Sequence, residues 1–402
     1  MAPEAGRCFV SADGRWGGPA EGASGGPPAL RGIMGNRCPA TVSPHRPLGS
    51  SSGMRPTPQA HRLVPLTALA VLAVLAGSCG GNAEGRPSSD AALRAAATIR
   101  PEELLSRIGV MAHDSMRGRA TPSPELDVVA EWIGREFAEM GLEPAGDDGT
   151  FIQRFPLPNG EPGTAPNVVG LLPGSDPDLR DEYVVYSAHM DHVGVGPPNV
   201  AGTDSIYNGA DDDASGTATV MEVAEALASL DPAPRRSFLF VIVSGEERGL
   251  WGSDWFASNP PVPVTAMVAN LNADMVGRNW TDTIVAIGKE HSSLGETLNR
   301  VNRTHPELGM TAVDDLWPEE RFYFRSDHFN FARRGVPVLF FFNGTHEDYH
   351  QPSDHVEKID ADKAARIGRL LFHLGLEVAE ADDPPEWDPE SRARIVEVND
   401  RN

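Results

Sequence analysis

The stretch SFLFVIVSGEE, residues 237–247, joins an almost entirely apolar run of seven residues to two adjacent acids. An apolar run of this length predicts a β-strand, and the lack of apolar–polar alternation predicts that the strand is buried on both faces. Such strands are typical of a parallel sheet that is covered by helices above and below. The stretch therefore predicts an α/β protein in which Glu246 and Glu247 follow the carboxyl end of a buried strand.

Further strands and helices alternate along the chain on both sides of this stretch. Apolar runs predict strands over residues 167–172, 182–188, 267–273, 283–287 and 336–342. Helical spacing of apolar residues predicts helices over 101–116, 124–140, 215–230, 293–303 and 361–381. This order indicates a three-layer α/β sandwich with a mostly parallel central sheet and helices on both faces. Ligands of such sheets bind beyond the carboxyl ends of the strands.

Composition limits the possible partners. The chain has 402 residues, of which 40% are hydrophobic, and this is enough for a substantial core. Its formal net charge of -23 argues against nucleic acid or an anionic membrane face as a partner, because both would repel it.

The three cysteines are Cys8, Cys38 and Cys79. The chain after position 79 therefore has neither a disulfide nor a cysteine metal ligand.

The N-terminal part carries the features of an export signal. Residues 61–62 are basic, 63–75 are an apolar run too short to span a bilayer comfortably, and 76–79 read AGSC. Residues 75–79 resemble a bacterial lipobox, although Ala76 stands where Leu or Val is usual. We therefore predict a signal peptide over 54–79, with Cys79 as a possible lipid anchor to a membrane. The mature protein is then an exported lipoprotein of the cell envelope, periplasmic or extracellular.

The remaining boundaries follow from composition. Residues 1–53 are a Gly/Pro/Ser/Arg mixture that indicates either a disordered extension or sequence upstream of a true start at Met54. We predict a linker over 80–92, a catalytic domain over 93–381 and a C-terminal tail over 382–402 that wraps the surface or frays.

Histidines and acids stand where several predicted strands end. His189 and Asp191 follow the strand over 182–188, and Asp274 follows the strand over 267–273. His350 lies in THEDYHQPSDH, residues 345–355, after the last strand. In NGADDDASG, residues 208–216, three aspartates precede a predicted helix, where capping of the helix N-terminus is the simpler alternative.

Taken together, these residues form a metal-ligand set. Two imidazoles and three carboxylates without a cysteine suit a catalytic Zn²⁺ site, with Mn²⁺ or Co²⁺ as alternatives; they come from His189, Asp212, Glu247, Asp274 and His350. Five ligands are more than one catalytic zinc needs, whereas two ions about 3.5–4 Å apart can share a bridging carboxylate. We therefore interpret the aspartate triplet as a bridge with its supports.

The motifs AHMDHVG, GADDDASG, SGEERGLWGS, NADMVG and DYHQPSD resemble those of the co-catalytic di-zinc exopeptidases of clan MH, over about residues 100–380. This family includes bacterial secreted aminopeptidases, glutamate carboxypeptidase and glutaminyl cyclase. The resemblance implies that His189 and Asp274 hold one zinc ion, that Glu247 and His350 hold the other, and that Asp212 bridges them.

The same resemblance assigns further roles. It implies that Asp191 orients His189, that Glu246 is the general base and that Tyr349 donates a hydrogen bond to the oxyanion. It also implies a cis peptide bond after Asp212. His192 and His346 are additional histidines, which we interpret as supporting or exposed residues.

The predicted function is an exported zinc exopeptidase with two zinc ions per chain, most simply an aminopeptidase acting on peptide substrates. A glutaminyl-cyclase-like acyl transferase, a carboxypeptidase and an inactive scaffold domain remain as alternatives. No residue in the sequence reveals the preferred N-terminal side chain or the oligomeric state.

Overall fold

The computed structural model describes residues 86–199 and 201–396. In this part of the chain the α-helices are α1 Ser89–Ala96, α2 Pro101–Met111, α3 Pro124–Glu139, α4 Gly216–Ala228, α5 Trp251–Ser258, α6 Leu294–Thr304, α7 His328–Ala332, α8 Ala361–Glu380 and α9 Pro389–Ile395. The strands are β1 Glu143–Pro144, β2 Ile152–Pro156, β3 Thr164–Leu172, β4 Tyr183–His189, β5 Gly194–Val195, β6 Ile206–Tyr207, β7 Ser237–Val243, β8 Met267–Ala273, β9 Thr283–Ile287, β10 Thr311–Val313 and β11 Val338–Phe341.

Nine of these strands form one sheet. The order across it is β1-β3-β7-β4-β8-β11-β9-β10, and β2 also pairs with β3. The pairs β7–β4, β4–β8 and β8–β11 are parallel, while β3–β7 and β11–β9 are antiparallel. Four parallel strands therefore stand side by side in the middle of the sheet, and their carboxyl ends meet at one edge.

The central strands are buried on both faces, as the run over 237–243 predicts. In β7, Phe238, Phe240 and Ile242 face one apolar cluster. Leu239 and Val241 face the other cluster. The first cluster also contains side chains of α2, α3, α4, α6 and α8, and the second contains side chains of α5, α7 and α9. The predicted three-layer α/β sandwich is therefore confirmed, with the longer helices on one face.

Two helix boundaries differ from the sequence prediction by more than two residues. Helix α1 begins at Ser89, inside the predicted linker over 80–92, because Ala92, Ala95 and Ala96 pack into the core. The predicted helix over 101–116 ends at Met111, and a 3₁₀ segment over Asp114–Arg119 follows it.

The structure describes most of the C-terminal tail but not the N-terminal 85 residues. The tail carries helix α9, whose Ile395 is buried, and the Trp387 indole donates a hydrogen bond to the Gly335 carbonyl at 2.9 Å. The predicted extension over 1–53 and signal peptide over 54–79 lie outside the described residues. Within the described part, none of the helices has both the length and the apolar character needed to cross a membrane.

Candidate metal centre

Four neighbouring strands deliver the predicted site residues to one edge of the sheet. His189 is the last residue of β4, and Asp274 directly follows β8. Glu246 and Glu247 come three and four residues after the end of β7. His350 lies in the loop after β11. Because these strands are parallel neighbours, residues far apart in sequence meet beyond their carboxyl ends.

The aspartate triplet contributes one side chain to the site and two to its framework. Asp211 accepts hydrogen bonds from the Ser215 hydroxyl at 3.0 Å and the Gly277 amide at 2.6 Å. Asp213 accepts from three backbone amides, those of His189, Gly216 and Met275, at 3.2, 2.9 and 3.1 Å. Helix capping, the simpler alternative, is therefore the role of Asp213, which accepts a hydrogen bond from the amide of Gly216, the first residue of α4. The Asp212 carboxylate contacts the rings of His189 and His350, whereas Asp211 contacts the ring of His346.

The local backbone allows neighbouring aspartates to point in different directions. The peptide bond between Asp212 and Asp213 is cis, as the sequence resemblance predicts. Gly209 has a φ of 57°, and a Cβ atom there would lie 2.2 Å from the Asp212 carbonyl oxygen. A larger residue than glycine therefore does not fit at the start of this segment.

A first group of ligands surrounds His189. The His189 Nε2 atom lies 3.4 Å from Asp212 Oδ1 and 3.7 Å from Asp274 Oδ1. The other oxygen of Asp274 accepts a hydrogen bond from the Ser326 hydroxyl at 2.9 Å, which fixes its orientation. Asp213 also lies within this group, but its oxygens already accept three amide hydrogen bonds. His189, Asp212 and Asp274 are therefore the ligands that remain available.

A second group contains His192, Asp212, Glu247 and His350. The His350 Nε2 atom lies 3.1 Å from both Asp212 Oδ2 and Glu247 Oε2. The His192 Nδ1 atom lies 2.8 Å from Glu247 Oε1. His192 is buried, so of the two interpretations of this histidine, supporting or exposed, the supporting one applies.

Asp212 joins the two groups. Its Oδ1 atom faces His189, while its Oδ2 atom faces His350. Four ligand atoms around one Zn²⁺, each about 2.0–2.2 Å from the ion, stand roughly 3.3–3.6 Å from one another. The donor separations are 3.4 and 3.7 Å in the first group and 2.8–3.7 Å in the second, close to this range, and the His and carboxylate donors are those that zinc uses. The prediction of two metal sites is confirmed.

The electrostatics of the site favour positive charge. Burial lowers the pKa of His350, but hydrogen bonds to Asp212 and Glu247 outweigh this and raise the pKa to about 10. Burial likewise opposes charge on His189, yet Asp191, Asp212 and Asp274 raise its pKa well above the ordinary value. Carboxylates that hold a proton on a buried imidazole also attract a divalent cation, which can replace that proton.

Glu246 lines the same cleft but belongs to neither ligand group. Burial raises its pKa well above the ordinary value, and the nearby charges of Glu247, Asp327 and Asp274 add to the rise. Cations bound in the two groups would oppose this rise, because positive charge favours a carboxylate. Glu246 is therefore a carboxyl group whose proton affinity is tuned by its surroundings, as a general base requires.

Asp191 contacts both His189 and the segment that carries Glu246. The His189 Nδ1 atom lies 3.2 Å from the Asp191 carbonyl oxygen and 3.6 Å from its carboxylate. The carboxylate accepts hydrogen bonds from the Thr121 hydroxyl at 2.8 Å and the Glu246 amide at 3.3 Å. The backbone carbonyl of Asp191 is thus the nearer partner of the His189 ring.

Tyr349 also lines the cleft, and its ring stacks on His350 with centroids 3.9 Å apart. Burial and the nearby carboxylates raise the pKa of its hydroxyl above the ordinary value, so the hydroxyl stays protonated and able to donate. The apolar part of the cleft lining is formed by Met275, Phe322, Phe340 and Phe342, and Arg325 also lines the cleft.

Arg119 is a site residue that sequence reasoning missed. Its side chain is fully buried and donates five hydrogen bonds to backbone carbonyls, of Met111, Met190, Asn208, Gly209 and Asp212. Arg119 thus ties the segment after β4 to the segment that carries the aspartate triplet. Nothing in its own neighbourhood, a polar turn, signals this role, because its partners lie up to 93 residues away.

Comparison with known proteins identifies the family. The model of peptidase family M28 matches residues 167–375, which is more than half of the chain. The chain therefore belongs to peptidase family M28, in agreement with the resemblance of its motifs.

Curated relatives are distant in sequence. One is a "Probable zinc metalloprotease" of Pyrenophora tritici-repentis, 27% identical over 65% of this chain and 62% of the relative. Another is leucine aminopeptidase 1 of Penicillium rubens, 26% identical over 58% of this chain and 60% of the relative. The chain thus spans about three fifths of the length of these relatives.

Solved structures share the fold. The LapA aminopeptidase of Legionella pneumophila superposes with a TM-score of 0.56 at 21% identity, over 73% of this chain and 76% of LapA. The glutaminyl cyclase of Porphyromonas gingivalis gives a TM-score of 0.55 at 16% identity, over 68% of this chain and 96% of the cyclase. One fold therefore accommodates both of these proteins, and the overall likeness does not choose between them.

Proposed function

We propose that this protein is a zinc aminopeptidase that uses two zinc ions to remove the N-terminal residue of peptides. The observation that carries the proposal is the placement of Asp212 between two ligand groups, with Glu246 beside both groups and in neither. His189 and Asp274 would hold one ion, Glu247 and His350 the other, and Asp212 both. The names of the curated relatives agree with this activity.

The protein's own residues carry the proton transfers. Bound zinc ions supply Lewis acidity, which lowers the pKa of water and polarises a carbonyl group. Glu246 would accept a proton from the attacking water and deliver it to the leaving amine. The protonated Tyr349 hydroxyl would donate a hydrogen bond to the oxygen on which negative charge develops. Asp191 would position both the His189 ring, through its carbonyl oxygen, and the Glu246 backbone, through its carboxylate.

The cleft also indicates the class of substrate. Its lining includes the carboxylates of Asp212, Glu246 and Asp274, which favour the ammonium group of a free N-terminus. Its apolar lining, formed by Met275, Phe322, Phe340 and Phe342, suits an apolar side chain on the residue that is removed. We therefore propose peptides with an apolar N-terminal residue as the preferred substrates.

Amino-acid anilides test this proposal directly. The zinc-loaded protein should hydrolyse leucine and phenylalanine anilides and should leave the N-acetylated forms intact, because acetylation removes the ammonium group. Cyclisation of N-terminal glutaminyl peptides without anilide hydrolysis would support the acyl transferase instead. Release of C-terminal residues from N-acetylated peptides would support the carboxypeptidase.

We also propose that the protein is exported and that Cys79 carries a lipid anchor. The support is the sequence pattern of residues 61–79. Mass spectrometry of the membrane fraction of cells that express the gene should find a mature N-terminus at Cys79 with a lipid adduct. Peptides from residues 1–53 or an unmodified Cys79 would contradict this assignment.

A further inference from the structure

The second ligand group contains a histidine for which the proposed function has no role. His192 is 1% exposed, and neither of its ring nitrogens has a hydrogen-bond partner among the described residues. Its ring packs against Gly209, where a Cβ atom would lie 2.5 Å from the His192 Cγ atom. Burying an imidazole without hydrogen-bond partners costs free energy, so we expect another interaction to compensate for this cost.

The contact between His192 and Glu247 has the geometry of two ligands of one ion. Their Nδ1 and Oε1 atoms are 2.8 Å apart, yet both atoms lack a hydrogen-bond partner in the described chain. An Nδ1–H group would therefore not point at the oxygen. Two lone pairs that converge on a shared point give the same short separation when a cation lies at that point.

We propose that His192 is a fourth protein ligand of the ion held by Asp212, Glu247 and His350. The four measured donor separations in this group are 2.8, 3.1, 3.1 and 3.7 Å. These separations lie on either side of the roughly 3.3–3.6 Å edge of a zinc-centred tetrahedron. This inference rests on the two-ion part of the proposed function and adds a ligand to it.

The additional ligand makes the two sites unequal. The group around His189 offers three protein ligands and leaves a coordination position open, as catalytic zinc sites do. The group around His350 then offers four, which is the number found in closed structural sites. We infer that the second site binds zinc more tightly, and that the site of His189 and Asp274 exchanges its ion first.

Metal affinity, rather than turnover, tests the role of His192. In chelator competition with zinc, the wild-type protein should release its two ions in two separate steps. His192→Gln should weaken the tighter site at least about tenfold and leave the other site unchanged. His346→Gln is the matched control, because His346 contacts Asp211 at 3.2 Å and belongs to neither ligand group. This control should release zinc as the wild type does.

A second variant keeps the test decisive if His192→Gln fails to fold. His192→Cys places a thiolate at the same position, and thiolates bind Co²⁺ strongly. The cobalt-loaded variant should gain a thiolate-to-cobalt charge-transfer absorption that the wild type lacks. Absence of this band, or unchanged zinc release by His192→Gln, would overturn the assignment. A wild type that binds fewer than two ions would instead refute the proposed function.

Discussion

Arg119 offers a test of how the metal loops are held, since it supports the site without contacting any of the proposed ligand side chains. Replacement by methionine keeps most of the aliphatic stem and removes all five donors. The strongest of these hydrogen bonds go to the carbonyls of Met190 at 2.7 Å, Gly209 at 2.6 Å and Asn208. The bonds to Met111 and Asp212 are longer, at 3.3 Å each.

The expected loss of stability follows from this inventory. Each buried carbonyl left without a donor costs about 1–3 kcal/mol, so the three strong bonds dominate. The substitution also removes a charge whose burial is unfavourable, as the lowered pKa of Arg119 indicates. This gain offsets part of the cost of the unpaired carbonyls. The net change should be about 3–5 kcal/mol, the lower part of the summed cost of three unpaired carbonyls. For a domain of roughly 300 residues this lowers Tm by about 5–8 °C.

Thermal unfolding and metal analysis measure this effect together. Arg119→Met should lower Tm in the presence of a chelator and should also reduce zinc affinity, because the ligands bind zinc only when their loops are held. Arg369→Met is a suitable control, since Arg369 donates to a single carbonyl, that of Ile99, far from the site. A Tm within about 1 °C of the wild type, with full zinc content, would refute the reasoning.

Three further variants test other parts of the account. Glu246→Gln should lower turnover of leucine anilide about 10²–10⁴-fold and keep both zinc ions, because the base is not a ligand; lost zinc would contradict this. Asp212→Ala should lose both ions and melt at a lower temperature, as metal analysis and calorimetry can show, whereas two retained ions would exclude the bridge. Glu222 is buried beside Arg107, and burial raises its pKa from 4.5 to about 7. The folded state therefore binds more protons than the unfolded state between these values, so stability falls as pH rises through this range. Glu222→Gln should flatten that slope in Tm measured against pH, and an unchanged slope would contradict the shift.

The strongest sequence signals predicted the elements that build the site. The run over 237–243 coincides with β7 because a strand buried on both faces must be apolar throughout. Helices α4, α6 and α8 were likewise predicted to within two residues at either end, since each buries an apolar face. Helix α5 and the short strand β2 were missed. The first is brief and contains Gly252, and the second mixes exposed and buried positions.

Site residues could be predicted where an acid or a histidine directly follows a central strand. They could not be predicted where contacts between distant parts of the chain determine the role of the residue. His189 and Asp274 are of the first kind, because the parallel order of β4 and β8 brings strand ends together. Arg119 and His192 are of the second kind. The Arg119 acceptors come from three separate segments, and the neighbours of His192 come from the aspartate triplet and from the loops after β7 and β11. No local pattern encodes either arrangement.

The location of the ions tests the central claim most directly. Crystals of the zinc-loaded protein, measured on both sides of the zinc absorption edge, should show two anomalous peaks about 3.5–4 Å apart with Asp212 between them. One peak should lie against His189 and Asp274, and the other against Glu247, His350 and His192. A single peak, or two peaks that do not share Asp212, would contradict the two-metal account.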